Sequence, residues 1–306
     1  MIYADNNATS PIDPTVWAAM RPYFEEKFFN PSSPYTPARG ASLAVSEARE
    51  RVASFLGSRE DEVIFTSGGT EANATAIHLA RMWHPDRRHW ICSAVEHASV
   101  LEPFAALEKE GHCVTRIPAN RDGTLDLDVL RASLSQDTAL VSVMLANNET
   151  GVVHPLLDVV AAARAVGVPV HTDAAQAVGR IPVSFANLGV DILTCCAHKM
   201  HGPKGAGAVV ARREIPRNPL LSGGGQENGW RAGTENVPAV VGFGVATQRV
   251  GESTVRHLRN LREIVERGIH AALPECVIVG ENLDRLPNTT LLLVPGNQYG
   301  RDAGAA

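Results

Sequence analysis

What most constrains this chain is an alternation. Between residues 62 and 212, short apolar runs of strand character take turns with stretches whose apolar residues recur every three or four positions. "EVIFTS" (62–67) passes straight into "GGTEANATAIHLARMW", in which Ala72, Ala76, Leu79, Ala80 and Trp83 mark one helix face. "HWICSAVEH" is strand-like, and "SVLEPFAALEKEG" is a helix stopped by Gly111. "TALVSVMLANN" is a strand, "LLDVVAAARAVG" a helix ending at Gly167, and "VPVHTDAAQ" a strand again. "VDILTCCA" and "GAGAVVAR" read as strands on either side of a turn. Repetition of this kind predicts an α/β fold, with a mostly parallel sheet sandwiched by helices on both faces. From about residue 255 the texture changes. The helical stretch "TVRHLRNLREIVERGIHAAL" leads to two short strand-like runs, "CVIVG" and "TTLLLV", the start of a second, smaller domain.

In sheets of this type ligands bind outside the carboxyl ends of the strands, so the polar residues that follow each strand matter most. In "SGGTEAN" (67–73), glycines after a strand leave backbone N–H groups free to cradle a phosphate and Thr70 adds a hydroxyl; a plain helix N-cap is the competing reading. No Walker A sequence is present. Asp173 ends "VPVHTD", either as an N-cap or ion-pair partner or as a carboxylate for a pyridine-type nitrogen. His97 is a structural histidine or one that stacks on such a ring. Lys199, in "CCAHKMHGPKGAG", lies at a strand end facing a turn. It is a surface charge, a phosphate binder or a covalent nucleophile. His198 and His201 are spaced i, i+3 in a turn without a carboxylate, which does not make a metal site.

Composition removes several classes of function. Hydrophobic residues make up 44% and charged ones 20% of the 306, an ordinary globular balance. The formal charge of −5 gives no reason to expect nucleic acid or an anionic membrane as partner. The start, "MIYADNNATSPIDP", has no basic segment followed by an apolar run, and no apolar stretch approaches the ~20 residues of a membrane span. Five scattered cysteines without a C-x-x-C pair argue against a disulfide framework or structural zinc, and a cytoplasmic location is expected.

The ordered segments "DNNATS", "NPSSP", "SGGTEAN", "EHASV", "NNETGVV", "HTDAAQAVG", "AHKMHGPKGAG" and "GGGQENGWRAGTENV" together resemble cysteine desulfurases of the NifS/IscS type, class V members of the fold-type I pyridoxal phosphate (PLP) enzymes. The resemblance runs from residue 2 to about residue 250. It implies that Lys199 forms the Schiff base with PLP and shuttles the substrate's α-proton, and that Asp173 pairs with the pyridine nitrogen. Gln176 and Asn148 would reach the ring oxygen, and His97 would stack on the ring and assist acid–base steps. Gly69, Thr70, Cys196 and His198 would hold the phosphate, joined by Thr234 from the partner subunit of a homodimer, with Asn7 and Ala8 near the substrate. The implied reaction takes sulfur from L-cysteine or a related amino acid, leaving alanine and an enzyme-bound sulfur for an acceptor or scaffold protein. Other class V reactions, such as a lyase or aminotransferase, and a non-catalytic PLP-binding protein are the rivals.

The same resemblance implies an N-terminal segment near the active site (1–15), a large PLP-binding domain (16–254) and a partial small domain (255–306). Similar enzymes continue for a further ~90 residues that complete the small domain and carry the persulfide-forming cysteine and a substrate-clamping arginine. This sequence closes on "NTTLLLVPGNQYGRDAGAA", and the expected reading is a chain cut short. None of its five cysteines stands in the persulfide context, and Cys196 replaces the usual serine. The strands "CVIVG" and "TTLLLV" are expected to lie uncovered, and "GRDAGAA" has no core pattern.

Overall fold

A computed structural model of the chain describes residues 2–295; the tail "GRDAGAA" lies outside them. In chain order the helices are α1 (Pro14–Met20), α2 (Pro22–Glu25), α3 (Thr36–Leu56), α4 (Gly69–Trp83), α5 (Ala98–Lys109) and α6 (Leu127–Ser133). They are followed by α7 (Leu156–Arg164), α8 (Phe185–Leu188), α9 (Val237–Arg249) and α10 (Glu252–Ala272). The strands are β1 (Val63–Thr66), β2 (His89–Ser93), β3 (Cys113–Ile117), β4 (Thr138–Ser142) and β5 (Val170–Asp173). After these come β6 (Ile192–Cys196), β7 (Gly207–Ala211), β8 (Val277–Ile278) and β9 (Leu292–Leu293).

Seven strands form one sheet in the order β1-β7-β6-β5-β4-β2-β3. β7 runs antiparallel to both its neighbours and every other pairing is parallel. Side chains on a strand alternate between faces, and here the alternation feeds two helical layers. Ile64, Trp90, Leu140, Ile192 and Val209 pack with apolar residues of α4 and α5. Their neighbours Phe65, Ile91, Val141, Leu193 and Val210 face the larger core with α3, α7 and α9. Ala72, Ala76, Leu79 and Ala80 of α4 are buried as their spacing predicts, with Trp83 at the margin. α3, β3, α6 and α9 have no counterpart in the sequence reading. The buried stripe of α3 is Ala38, Ala41, Ala44, Val45, Ala48 and Val52, too small-sided to stand out by hydrophobicity. Small residues instead permit close approach to α9, where a Cβ on Gly244 would come within 2.7 Å of Ala48 Cα.

The strands stop earlier than their apolar runs, and polar side chains end them. Ser93 Oγ accepts from Val95 N–H (3.1 Å), Asp173 Oδ1 from Ala175 N–H (2.8 Å), and Asn147 Oδ1 from both Glu149 and Thr150 N–H (2.9 Å each). These local bonds compete with the sheet ladder and turn the chain outward, building a rim at the carboxyl edge.

The loop 222–236 is pinned from within. Glu227, in the left-handed region (φ 49°), makes a two-pronged ion pair with Arg49 (2.7 Å) and accepts from Phe65 N–H (2.8 Å). Arg231 pairs with Glu71 (2.8 Å). Beyond α9, "CVIVG" and "TTLLLV" contribute only two residues each to the antiparallel pair β8–β9. Helix α10 buries a single residue, Glu266, while Leu261, Ile264 and Val265 are about half exposed at 45, 57 and 56%. Val277 and Leu293 are likewise exposed on β8 and β9, whereas Ile278 beside them is buried.

Candidate active site

At the carboxyl edge a cavity of about 270 Å³ opens between the ends of β4, β5 and β6 and the start of α4. Eleven of the twelve residues singled out from the sequence meet here or on its floor. Gly69, Thr70, His97, Asn148, Asp173, Gln176, Cys196, His198, Lys199 and Ala8 line it, and Asn7 bonds to three of them. Thr234 does not reach the cavity of its own chain; it is exposed and lines separate pockets beside Glu235 and Val237.

Lys199 is placed by a single 3-10 turn, Ala197–Lys199, directly after β6. The turn is closed by Gly202, where a Cβ would meet the Ala197 carbonyl oxygen at 2.8 Å. Half-buried, the amine donates to the carbonyls of Asn7 and Ala8, the latter at 2.9 Å. Burial pushes its ammonium below the usual lysine value; Cys196 opposes this and Arg180 reinforces it. Asp173 is buried, with Oδ2 accepting from Asn73 Nδ2 (2.7 Å) and Oδ1 from Ala175 N–H.

The first turn of α4 follows Gly68 with no side-chain cap, so its leading N–H groups stay open toward the cavity. β7 closes behind this turn. A Cβ on Gly207 would fall 2.5 Å from the Gly68 carbonyl carbon, so only glycine lets strand and cradle touch. Burial, then repulsion from Lys199 and Lys204, holds His198 below the ordinary histidine value; its Nδ1 meets Thr9 Oγ1 at 3.1 Å. Cys196 is buried beside Gly69, and burial with help from Asp173 pushes its thiol up to about 12.

Several residues of the site escaped the sequence reading. Buried Arg180 donates to Gln176 Oε1 and to the Asn6 carbonyl (2.7 Å), while Gln176 Nε2 donates to the Asn7 carbonyl (3.0 Å). Asn7 Nδ2 donates to Asn148 O and Thr289 Oγ1 (2.9 Å each), and Asn288 Nδ2 donates to Asn7 Oδ1 (2.9 Å). Buried Glu96 accepts from Met144 N–H (2.6 Å), and burial, with repulsion from Asp173, raises its carboxyl well above the usual carboxylate range. Asn73 and Ser99 also line the cavity, connected inward to Thr194 and His171. The available signal was polarity out of place: Asn73 beside an apolar helix stripe, and His171 and Thr194 inside buried strands.

The remaining thiols lie elsewhere. Cys113 is exposed at the start of β3, the sheet edge opposite Lys199. Cys92 and Cys195 are buried in strands, where burial pushes the first up to about 12 and the second well above the ordinary thiol value. Cys276 is buried just before β8. Among the described residues no group of three or more His, Cys, Asp or Glu is arranged to hold a metal ion, and no helix is long and apolar enough to cross a membrane.

Fold and site together define an α/β protein of the NifS-like type, a helix-flanked, mostly parallel sheet with a lysine-centred cavity at its carboxyl edge. A solved NifS-like protein superposes with a TM-score of 0.92 at 36% identity, over 96% of this chain and 82% of that one. A structure described as SspA in complex with cysteine superposes at 0.81 with 34% identity, over 87% and 78% of the two chains. The chain belongs to the class V aminotransferase family, whose pattern matches residues 2–298. Within that family it is 45% identical over 293 residues to a cysteine desulfurase of Nostoc sp., covering 95% of this chain and 73% of that protein. It is 42% identical over 292 residues to cysteine desulfurase NifS of Azotobacter vinelandii, covering 94% and 73%. Membership in this family implies dependence on PLP.

Proposed function

We propose that the chain binds PLP in the Lys199 cavity and accepts L-cysteine, or a related amino acid, as a cysteine desulfurase-type transferase. The observation that carries this reading is a half-buried amine and a buried carboxylate lining one cavity at the uncapped start of α4. The residues present fit the cofactor: open amides and a threonine hydroxyl suit a phosphate, a strand-end carboxylate suits a pyridine nitrogen, and a lysine of lowered pKa suits an aldehyde. Bound there, PLP supplies an electron sink for the substrate's α-carbon. Lys199 would hold the cofactor through Nζ, and the same Nζ would take the substrate's α-proton. Asp173 holds a proton at the ring nitrogen. Gly69, Thr70, Cys196 and His198 bind the phosphate, with Thr234 of a second copy completing the set in a homodimer. Gln176 and Asn148 would hold the ring oxygen, His97 would cover the ring, and Asn7 and Ala8 would border the substrate.

In the same reading residues 1–15 form a segment at the active site, 16–254 the PLP-binding domain and 255–306 a partial small domain, the whole acting in the cytoplasm with a sulfur-acceptor or scaffold protein as partner. The bound cysteine of the SspA relative supports the substrate class. The thiols set the limit of the chemistry. Each cysteine here is buried with its thiol held protonated, buried before β8, or at the far edge of the sheet. We therefore assign this chain the cofactor half of the reaction and give none of its cysteines the persulfide role. A non-catalytic PLP-binding protein and another class V reaction are the second readings.

The test is a single-turnover incubation of PLP-loaded protein with L-cysteine, following visible absorption and alanine. A spectral change with well under one equivalent of alanine is the expected result. One equivalent or more would overturn the thiol assignment, and no spectral response at all would overturn the substrate class.

A further inference from the structure

One continuous set of hydrogen bonds crosses the floor of the cavity, and its direction is fixed at one end. A carboxylate only accepts, so Asn73 must present Nδ2, not Oδ1, to Asp173 Oδ2 (2.7 Å). With that orientation set, the second Nδ2 hydrogen goes to Ser99 Oγ (2.8 Å), and Oδ1 accepts from the Thr194 hydroxyl. Flipping the amide would set an oxygen against the carboxylate and an amine against Thr194. Ser99, having accepted from Asn73, has its own hydroxyl hydrogen left for His97 Nδ1 (2.8 Å). Ser99 N–H also points at that nitrogen (3.1 Å), because His97 caps α5. Nδ1 is therefore an acceptor twice over, and the imidazole proton belongs on Nε2.

The inner arm runs the same way. Thr194, donating to Asn73, accepts from His171 Nε2 (3.1 Å), whose Nδ1 accepts from Ser142 Oγ (2.8 Å). Asn73, Ser99, His171, Thr194 and Ser142 are all buried, so water does not compete for these bonds.

We propose that Asn73 is a positioning residue of this site: its side-chain amide locks the Asp173 carboxylate and aims the Ser99 hydroxyl, which together with the Ser99 N–H holds His97 as the Nε2–H tautomer. In that tautomer His97 carries its donor on Nε2 and turns its bare nitrogen to Ser99. The tautomer follows from the chain's own bonds, while its use toward a bound ring and substrate rests on the proposed function.

The experiment is nitrogen NMR of histidine-labelled protein with and without PLP, with His97 assigned by its loss in His97→Gln. The wild type should show Nδ1 as the bare nitrogen and Nε2 as the protonated one; an Nδ1–H tautomer in the PLP-free protein overturns the inference. Asn73→Asp replaces the amide with an acceptor of the same size. It should turn the Ser99 hydroxyl around, leave Nδ1 only the Ser99 N–H, and move the Nδ1 resonance further toward the bare position; an unmoved resonance overturns the link through Ser99. Should that variant fail to fold, Ser99→Ala carries the test. It removes one of the two bonds to Nδ1 and should shift that resonance; an unmoved resonance overturns the link through Ser99. Asn73→Ala, which frees one Asp173 oxygen, should raise that constant about tenfold; a value equal to wild type overturns the positioning of Asp173. Failure of the wild type to bind PLP, with Nε2–H present, would overturn the functional reading and leave the tautomer assignment standing.

Discussion

Lys199 keeps its amine where water is scarce, beside Arg180 and under two backbone carbonyls. A lowered lysine pKa means that the neutral, nucleophilic form appears at a lower pH than for a free lysine. Covalent attachment of PLP should therefore rise through a midpoint below 10.5, read by visible absorption against pH. In Lys199→Ala protein, borohydride should trap no cofactor on the chain. His154 makes the complementary case. Neither ring nitrogen has a partner among the described residues, and burial pushes its pKa down to about 4. The unfolded chain takes up this proton near 6.5 and the folded chain does not, so stability falls as pH drops from 6.5 toward 4. The slope for this one group is about 1.4 kcal/mol per pH unit. His154→Phe should lessen the acid slope by that amount in denaturant titrations repeated across the range. Residues of this kind are hard to read in a sequence. His154 and His97 are both single histidines after apolar runs, and only burial and hydrogen-bond partners tell an inert one from a rim donor.

At the scale of elements, the decisive contact is β7 against the start of α4. Gly207→Ala puts a methyl within 2.5–2.8 Å of three backbone atoms of Gly68, none of which can rotate away. The cost should be roughly 1–3 kcal/mol of stability, as for other overpacked sites, with PLP retention weakened because the cradle shifts. Thermal melts and equilibrium dialysis would register both. Gly40 is the contrast: it sits inside α3, and a methyl added there would find nothing within 4 Å. Gly40→Ala should stabilise by about 0.5–1 kcal/mol through helix propensity alone. The helix over 68–83 and the strands ending at Asp173 and Cys196 were legible because long apolar periodicities and strand-end polar clusters are local signals. Helix α3 was not, since its alanines gain their meaning only from the approach of α9.

For the whole molecule, the contrast is between a sheet closed on both faces and an α10–β8–β9 region that, among the described residues, leaves apolar side chains exposed. Leu261, Ile264, Val265, Val277 and Leu293 present apolar surface to water, a feature associated with self-association. Ile264→Lys together with Val265→Glu should reduce concentration-dependent light scattering while leaving PLP binding unchanged; unaltered scattering would place the association elsewhere. The sequence by itself determined the α/β alternation, the carboxyl-edge position of Lys199 and Asp173, and the glycine-led start of α4, because strand period, helix period and turn chemistry act over a few neighbouring residues. Only the tertiary structure decided which distant polar groups share a proton network and which small residues let backbones touch. Asn73 meets Asp173, and Gly207 meets Gly68, across separations in sequence that no local preference spans, and burial away from water is what turns those meetings into fixed bonds and fixed contacts.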